Sequence, residues 1–352
     1  MKFSCPVVKI GKIEKLSNSD TLSITTVQET PVIIKTGMFQ TGDLAIYIPE
    51  DSVLPMDRAP FIGVIKTDKP KHRLRAVRLR GTYSEGLLIS LNGLQREEGC
   101  DMAPELGVTH YVEPEPVVSI LGTVKSNQES PLRWVPQFEV EALLKNRESI
   151  PEGTLVEVTE KVHGSAFKAV YDDRLHVSSH NVWRRPVYKE GKFKQFVNKL
   201  FKTELFKLTP TNDCVWWTAA KDNKLAEKLK DFKRYVIYGE IYGKVQDLKY
   251  GIPNGVKLVV YAIFNANTRD WENPHAVRDI CSLLELDYVP VLYSGRYVKE
   301  VVDPMRSGAS TLHSQTIREG IVIKPLNNNG RNISLKFVSE EYKTRKNGSE
   351  YK

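Results

Sequence analysis

The sequence predicts an α+β protein in two parts, a small closed β-barrel followed by a larger domain of strands and amphipathic helices. Three observations carry this expectation. Short apolar or alternating runs, divided by turn residues, recur through residues 1–112. Longer strand-like runs mixed with helical periodicity follow beyond residue 150. The 352 residues also exceed what one hydrophobic core commonly serves.

The first part is expected over 1–112. Its runs are Val7–Ile10, Leu22–Val27, Val32–Ile34, Leu44–Ile48, Leu74–Leu79 and Gly86–Ile89, with turns at Asn18-Ser19-Asp20, Thr41-Gly42-Asp43 and Asn92-Gly93. Strands at this spacing predict an OB-like barrel. Arg73, Arg75, Arg78 and Arg80 stud the stretch from Lys71 to Gly81, which is expected to give one strand a cationic face. Such a face either tracks a phosphate backbone or is simply solvated.

Residues 113–135 read as a linker, because Glu113-Pro114-Glu115-Pro116 and Ser126 to Pro131 carry breakers and little periodicity. The second domain is expected over 136–352. Ser149 to Gly153 turns into an alternating strand, Thr154–Thr159. Further strands are expected at Leu175–Ser179, Tyr235–Glu240, Lys257–Phe264, Gly320–Lys324 and Ile333–Phe337. Helical spacing predicts helices over 192–202, where Phe193, Phe196, Val197, Leu200 and Phe201 share a face, over Asn223–Phe232, and over Val277–Leu284.

Composition narrows the function classes. Hydrophobic residues make up 41% and charged residues 27%, as in a soluble globular chain. Cys5, Cys100, Cys214 and Cys281 form no CxxC pair, so neither a zinc motif nor a disulfide framework is expected. The net charge of +8 favours an anionic partner, of which nucleic acid is the commonest. No apolar run reaches membrane-spanning length and the N-terminus has no apolar signal region, so a cytoplasmic protein without membrane partners is expected.

The chemistry centres on Thr159-Glu160-Lys161-Val162-His163-Gly164. It places a lysine at a strand end beside a glycine that admits a ligand to the backbone. Glu240, Glu319, Lys324 and Lys336 follow on or beside later strands. Each alone reads equally as a solvated strand end. Together they supply what nucleotidyl transfer needs: an amine nucleophile, carboxylates for a divalent metal, and cations at the α-phosphate.

These residues resemble the motifs of the covalent nucleotidyltransferase superfamily of polynucleotide ligases and capping enzymes. Lys-x-(Asp/His)-Gly matches Lys161 to Gly164, and later motifs match Glu240, Phe264, Glu319 with Lys324, and Lys336, over about 136–340. Capping enzymes and DNA ligases carry their OB domain after the last motif, where only Glu340–Lys352 remain here. An OB-like domain ahead of the lysine is similar to RNA ligase family 5. So are Arg75 to Gly81 with Gly86-Leu87-Leu88, and Val245-Gln246-Asp247-Leu248-Lys249-Tyr250-Gly251.

The resemblance implies an ATP-grasp-like nucleotidyltransferase domain of antiparallel sheets with flanking helices. It implies an ATP-dependent RNA ligase that joins RNA 3′-OH and 5′-phosphate ends, in nicked or bridged duplex, through a lysyl-AMP, with Mg²⁺ or Mn²⁺ and as a monomer. Lys161, Lys324 and Lys336 are the implied catalytic residues. Glu160, Val162, Gly164, Asn181, Glu240, Phe264, Glu319 and Val322 are the implied nucleotide contacts. Glu240 and Glu319, with His163, are the implied metal residues. Arg73, Arg75, Arg78, Arg80, Arg184 and Arg185 are the implied RNA contacts. Phe264 reads equally as a base platform or a buried strand aromatic. Four departures bear on these roles. His163 replaces an acidic residue, Ala166 and Ser334 replace polar or basic ones, and Ser178-Ser179-His180-Asn181 lacks an arginine that His180 or Asn181 would replace. The alternatives are a DNA ligase or GTP-using capping enzyme, and an RNA-binding protein with an inactive transferase domain.

Overall fold

A computed structural model of the chain describes residues 3–65, 67–112, 132–185, 214–346 and 348. The helix expected over 192–202, and the linker up to residue 131, lie outside them. The chain divides into two compact units. One is Met1–Pro114 with Glu340–Lys346, the other Glu115–Ser339 with Asn347–Lys352.

The first unit is built of short antiparallel strands: β1 (Val7–Lys9), β2 (Glu14–Lys15), β3 (Leu22–Val27), β4 (Thr30–Lys35), β5 (Leu44–Ile48), β6 (Ser52–Pro55), β7 (Lys71–Arg73), β8 (Val77–Leu79), β9 (Thr82–Ser84), β10 (Leu87–Ser90) and β11 (Thr109–His110). Strand β5 lies between β1 and β10, β3 between β2 and β4, and β6 between β11 and β7. Alternation sends Ile46 and Ile48 into one apolar core and Ala45 and Tyr47 into another. Gly86 is required before β10: at φ +85°, a Cβ there would stand 2.5 Å from the Tyr47 ring and 2.9 Å from the Ile48 carbonyl oxygen.

The cationic run does not form one strand. Leu74 and Ala76 are both buried, and the backbone breaks between β7 and β8, which pair with different neighbours. The helix Glu340–Lys343 packs in this unit. Lys343 Nζ lies 2.7 Å from Glu50 and 2.8 Å from Glu85, and Tyr83 donates to the same Glu85 carboxylate at 2.6 Å.

The second unit has two sheets. One has the order β12-β22-β21-β13-β20, from β12 (Glu141–Ala142), β13 (Leu155–Lys161), β20 (Val291–Arg296), β21 (Gly320–Pro325) and β22 (Leu335–Val338). The other runs β16-β15-β14-β17-β18-β19, from β14 (Ser165–Tyr171), β15 (Leu175–Ser178), β16 (Trp183–Arg184), β17 (Tyr235–Gly243), β18 (Val256–Asn265) and β19 (Asp270–Trp271). Every pairing is antiparallel except β12 with β22. One face of the larger sheet buries Phe167, Val177, Ile237 and Ile263 against the helices Val215–Asp222 and Pro274–Leu283. The second of these helices starts where the sequence dictates: Asn273 Oδ1 accepts from Ala276 N at 3.0 Å, and Pro274 takes the first turn. The helix expected over Asn223–Phe232 is reduced to Leu225–Lys228, because Lys224 adopts φ +53°.

Candidate active site

Strand β13 alternates Val156 and Val158 into one core with Glu157, Thr159 and Lys161 on the opposite face. In register, Lys324 stands opposite Glu157, Val322 opposite Thr159, and Lys336 opposite Val322. Lys161, Lys324 and Lys336 therefore share one face of the five-stranded sheet. A bulge in the β13–β20 pairing falls at Val158/Thr159, two residues before Lys161, and another in the β17–β18 pairing falls at Tyr238/Gly239, just before Glu240. Bulges of this kind re-aim the side chains that follow.

Lys161 Nζ donates to Glu319 Oε1 at 2.5 Å. Lys161 faces Gly320 in the ladder, so the residue ahead of Gly320 is delivered to the lysine. The other oxygen, Glu319 Oε2, is buried without a hydrogen-bond partner. Glu240 belongs to the same charge group. Withdrawal from water pushes its carboxyl up to about 8, Lys161 pulls it down, Glu319 pushes it up, and the Gly164 N–H stabilises its charged form. Gly164 has to be glycine: a Cβ would lie 2.1 Å from the Ile241 carbonyl oxygen and 2.9 Å from Glu240 Cγ.

The segment after β17 clamps the turn that follows Lys161. The His163 N–H donates to the Tyr250 hydroxyl at 2.8 Å, and Gln246 Nε2 donates to the Gly164 carbonyl at 3.1 Å. His163 Nε2 lies 2.8 Å from Asp247 Oδ1. Val162 turns into an apolar cluster with Tyr242 and Tyr250.

Glu160 points away from Lys161. Its carboxylate accepts from Ser310 Oγ at 2.5 Å, Thr311 N at 2.8 Å and Thr311 Oγ1 at 2.7 Å, and its own N–H donates to the Pro290 carbonyl. Arg318 Nε approaches it to 3.9 Å while the guanidinium donates to the carbonyls of Met305, Ser307 and Ala309. Glu160 thus organises the loop that enters Glu319.

Lys324 is buried. Its ammonium donates to the Tyr261 carbonyl and lies 5.2 Å from the Phe138 ring centroid and 5.7 Å from that of Tyr261. Burial depresses it to about 8, against a small upward pull from Glu157. Phe264 is buried against Trp271, centroids 5.2 Å apart. Asn181 is exposed and accepts from Gln137 Nε2 at 3.4 Å.

The six arginines differ in their immediate surroundings. Arg73 pairs with Asp51 at 2.6 Å and stacks over Tyr111 at 3.7 Å. Arg78 reaches Glu340 at 3.4 Å and the Gly81 carbonyl at 3.3 Å. Arg75, Arg80 and Arg185 are exposed. Arg184 is buried, 4.4 Å over the Trp216 ring, and donates to Ser179 Oγ.

Residues 154–338 match the family model for RNA ligase. The chain belongs to the RNA ligase family. Residues 5–91 match an OB-fold domain, which agrees with the expected barrel. The chain is similar to Naegleria gruberi RNA ligase solved with PPi, at 23% identity and TM-score 0.75 over 97% of this chain and 98% of that one. Two mutants of the Naegleria enzyme are similar at 23% and 24% identity. One was solved with ATP and Mn (TM-score 0.75, 97% and 98% covered), the other with AMP and Mn (TM-score 0.73, 96% and 97%). These likenesses establish a shared fold. No curated protein matches the chain.

In this RNA ligase family member Lys161, Glu240 and Glu319 come together and Lys324 and Lys336 share the sheet face of Lys161, while Gln246 and Tyr250, which hold the turn after Lys161, and Asp247 beside His163 were not among the expected site residues. The Val245–Gly251 resemblance was the available signal. Among the described residues no group of three or more His, Cys, Asp or Glu is spaced to hold a metal directly. The buried, unpartnered Glu319 Oε2 beside the Glu240 carboxyl instead fits a hydrated divalent cation held through its waters. No helix among the described residues is long and apolar enough to cross a membrane.

Proposed function

We propose that this RNA ligase is ATP-dependent and seals RNA 3′-OH and 5′-phosphate ends through a lysyl-AMP on Lys161. The observation that carries the reading is Lys161 Nζ on Glu319, with Lys324 and Lys336 on the same sheet face. A free lysine amine is almost wholly protonated near neutral pH and is no nucleophile. Glu319 is within reach to take that proton. The neutral amine attacks the ATP α-phosphorus, an N–P bond forms, the α–β bridging P–O bond breaks, and pyrophosphate leaves. An RNA 5′-phosphate oxygen then attacks the AMP phosphorus and frees the lysine. The 3′-hydroxyl finally attacks that activated 5′-phosphorus, a phosphodiester forms, and AMP departs.

Lys324 and Lys336 offset charge developing on the phosphates. A Mg²⁺ or Mn²⁺ held near Glu240 and Glu319 would add Lewis-acid stabilisation to the same oxygens. Val322, Val162, Gly164, Asn181 and Phe264 line the nucleotide side in this reading, and the exposed arginines Arg75, Arg80 and Arg185 meet RNA phosphates. A linker at 113–135 joins the barrel to the transferase domain. The ATP and Mn of the Naegleria structures support the choice of ATP. The test incubates purified protein with α-labelled ATP or GTP and divalent metal, after pyrophosphate treatment to remove prior adenylate. A covalent, acid-labile adduct from ATP, absent in Lys161→Ala, is expected. Labelling by GTP alone would move the chain to capping chemistry, and labelling by neither to RNA binding without catalysis.

A further inference from the structure

A polar chain in the transferase unit runs from Lys161 through two buried side chains to the segment after β17. Lys161 Nζ meets Glu319 Oε1 at 2.5 Å, and Glu319 Oε2 faces His163 Nδ1 at 3.9 Å. His163 Nε2 meets Asp247 Oδ1 at 2.8 Å. The His163 and Glu319 side chains are 7% and 8% exposed, so water does little to orient either. The terminal torsion of a glutamate is soft. Glu319 Oε2 carries no hydrogen bond, and the edge of the His163 imidazole stands 3.9 Å from it. An imidazole ring is itself fixed by the partner on its far nitrogen.

We propose that Asp247 is a positioning residue for the nucleophile: its carboxylate sets the His163 ring, and the ring holds the Glu319 carboxylate against Lys161. The proposal rests on the lysyl-AMP reading above and names a determinant of its first step. The backbone around Asp247 is rigid enough for this work. Gln246 and Tyr250, on either side of it, are bonded to the Gly164 carbonyl and the His163 N–H. Those two bonds do not depend on the Asp247 side chain, so its truncation leaves the clamp in place.

The test separates the step that needs the lysine from the step that does not. Single-turnover labelling of Lys161 by α-labelled ATP reports the first. Sealing of a preformed 5′-adenylylated nicked RNA reports the last. In Asp247→Ala, labelling is expected to slow about 10- to 100-fold, as for other lost orienting partners, with sealing of the adenylylated nick changed by less than about 3-fold. Asp247→Asn keeps an oxygen to accept from the ring and is expected to restore labelling to within about 3-fold of the parent. Unchanged labelling in the Ala variant, equal loss of both steps, or an Asn variant as slow as Ala would each overturn the proposal. A parent protein that takes no label but binds ATP removes the lysyl-AMP reading and this inference together. A parent that labels normally isolates the fate of Asp247.

Discussion

Lys161 and Glu319 stand 158 residues apart in the chain and 2.5 Å apart in the fold. The antiparallel β13–β21 ladder brings them together by placing Lys161 opposite Gly320. In Glu319→Gln the amide keeps the shape of the side chain but takes no proton from the lysine. Lys161 adenylylation at saturating ATP is expected to fall about 100-fold or more. Single-turnover labelling checks it, and a rate within a few-fold of the parent would remove Glu319 as the proton acceptor.

Lys324 carries a stability cost with a defined pH window. In the folded protein burial brings it to about 8, against 10.5 when unfolded. Below about pH 8 both states are protonated and the cost of burying the charge is fully present. Between about 8 and 10.5 the unfolded state binds more protons, so the folded protein gains stability as pH rises. Lys324→Met is therefore expected to raise stability near pH 7 by up to about 3 kcal/mol, an advantage that shrinks towards pH 10. The same variant should lose labelling. Denaturant titrations of parent and variant at several pH values give the answer, and an advantage independent of pH would contradict this account of Lys324.

The strands that carry the site were legible because each alternates around an unambiguous apolar face. Tyr235–Gly243, Val256–Asn265 and Gly320–Pro325 contain their expected runs, and Leu155–Lys161 takes up all of its run but Thr154. The stretch from Lys71 to Gly81 misled for a tertiary reason. Arg73 and Arg75 alternate with the buried Leu74 and Ala76, but Arg78 and Arg80 fall at the other parity and β7 and β8 pair with different neighbours, so no one strand face carries all four arginines. The helix Val215–Asp222 went unread because five of its eight residues are buried, leaving no polar face to give a helical period. The reach of Asp247 to His163, and of Glu160 to Ser310 and Thr311, has no local signature, since these bonds span 84 and 150–151 residues.

Glu160 ties strand β13 to the loop at Ser310 and Thr311. In Glu160→Ala, three hydrogen bonds from Ser310 and Thr311 are lost and Arg318 is left beside an apolar side chain. Stability is expected to fall by about 2–4 kcal/mol, because buried donors lose a charged acceptor. Labelling should weaken in parallel, since the same loop delivers Glu319. A thermal melt showing less than about 0.5 kcal/mol of loss would mean the loop is held by other contacts.

The barrel has its own buried charge centre, and its sign makes it the sharpest stability test. Lys343 stands between Glu50 and Glu85 at 2.7 and 2.8 Å, with all three side chains less than one-fifth exposed. The two carboxylates overcome the cost of burial and hold the Lys343 ammonium well above the usual lysine range. Loss of water pushes the Glu50 carboxyl up, and Lys343 opposes that shift. Lys343→Met therefore leaves two carboxylates facing each other without their cation and is expected to cost about 3–5 kcal/mol near neutral pH. Without the lysine the buried Glu50 carboxyl takes up a proton more readily than in the unfolded chain. The variant's deficit should therefore narrow as pH falls towards 5. Adding Glu85→Gln to Lys343→Met removes the repulsion and should recover part of the loss near pH 7. A deficit that neither acid nor the second substitution reduces would show that Lys343 matters through packing of its alkyl stem rather than through its charge.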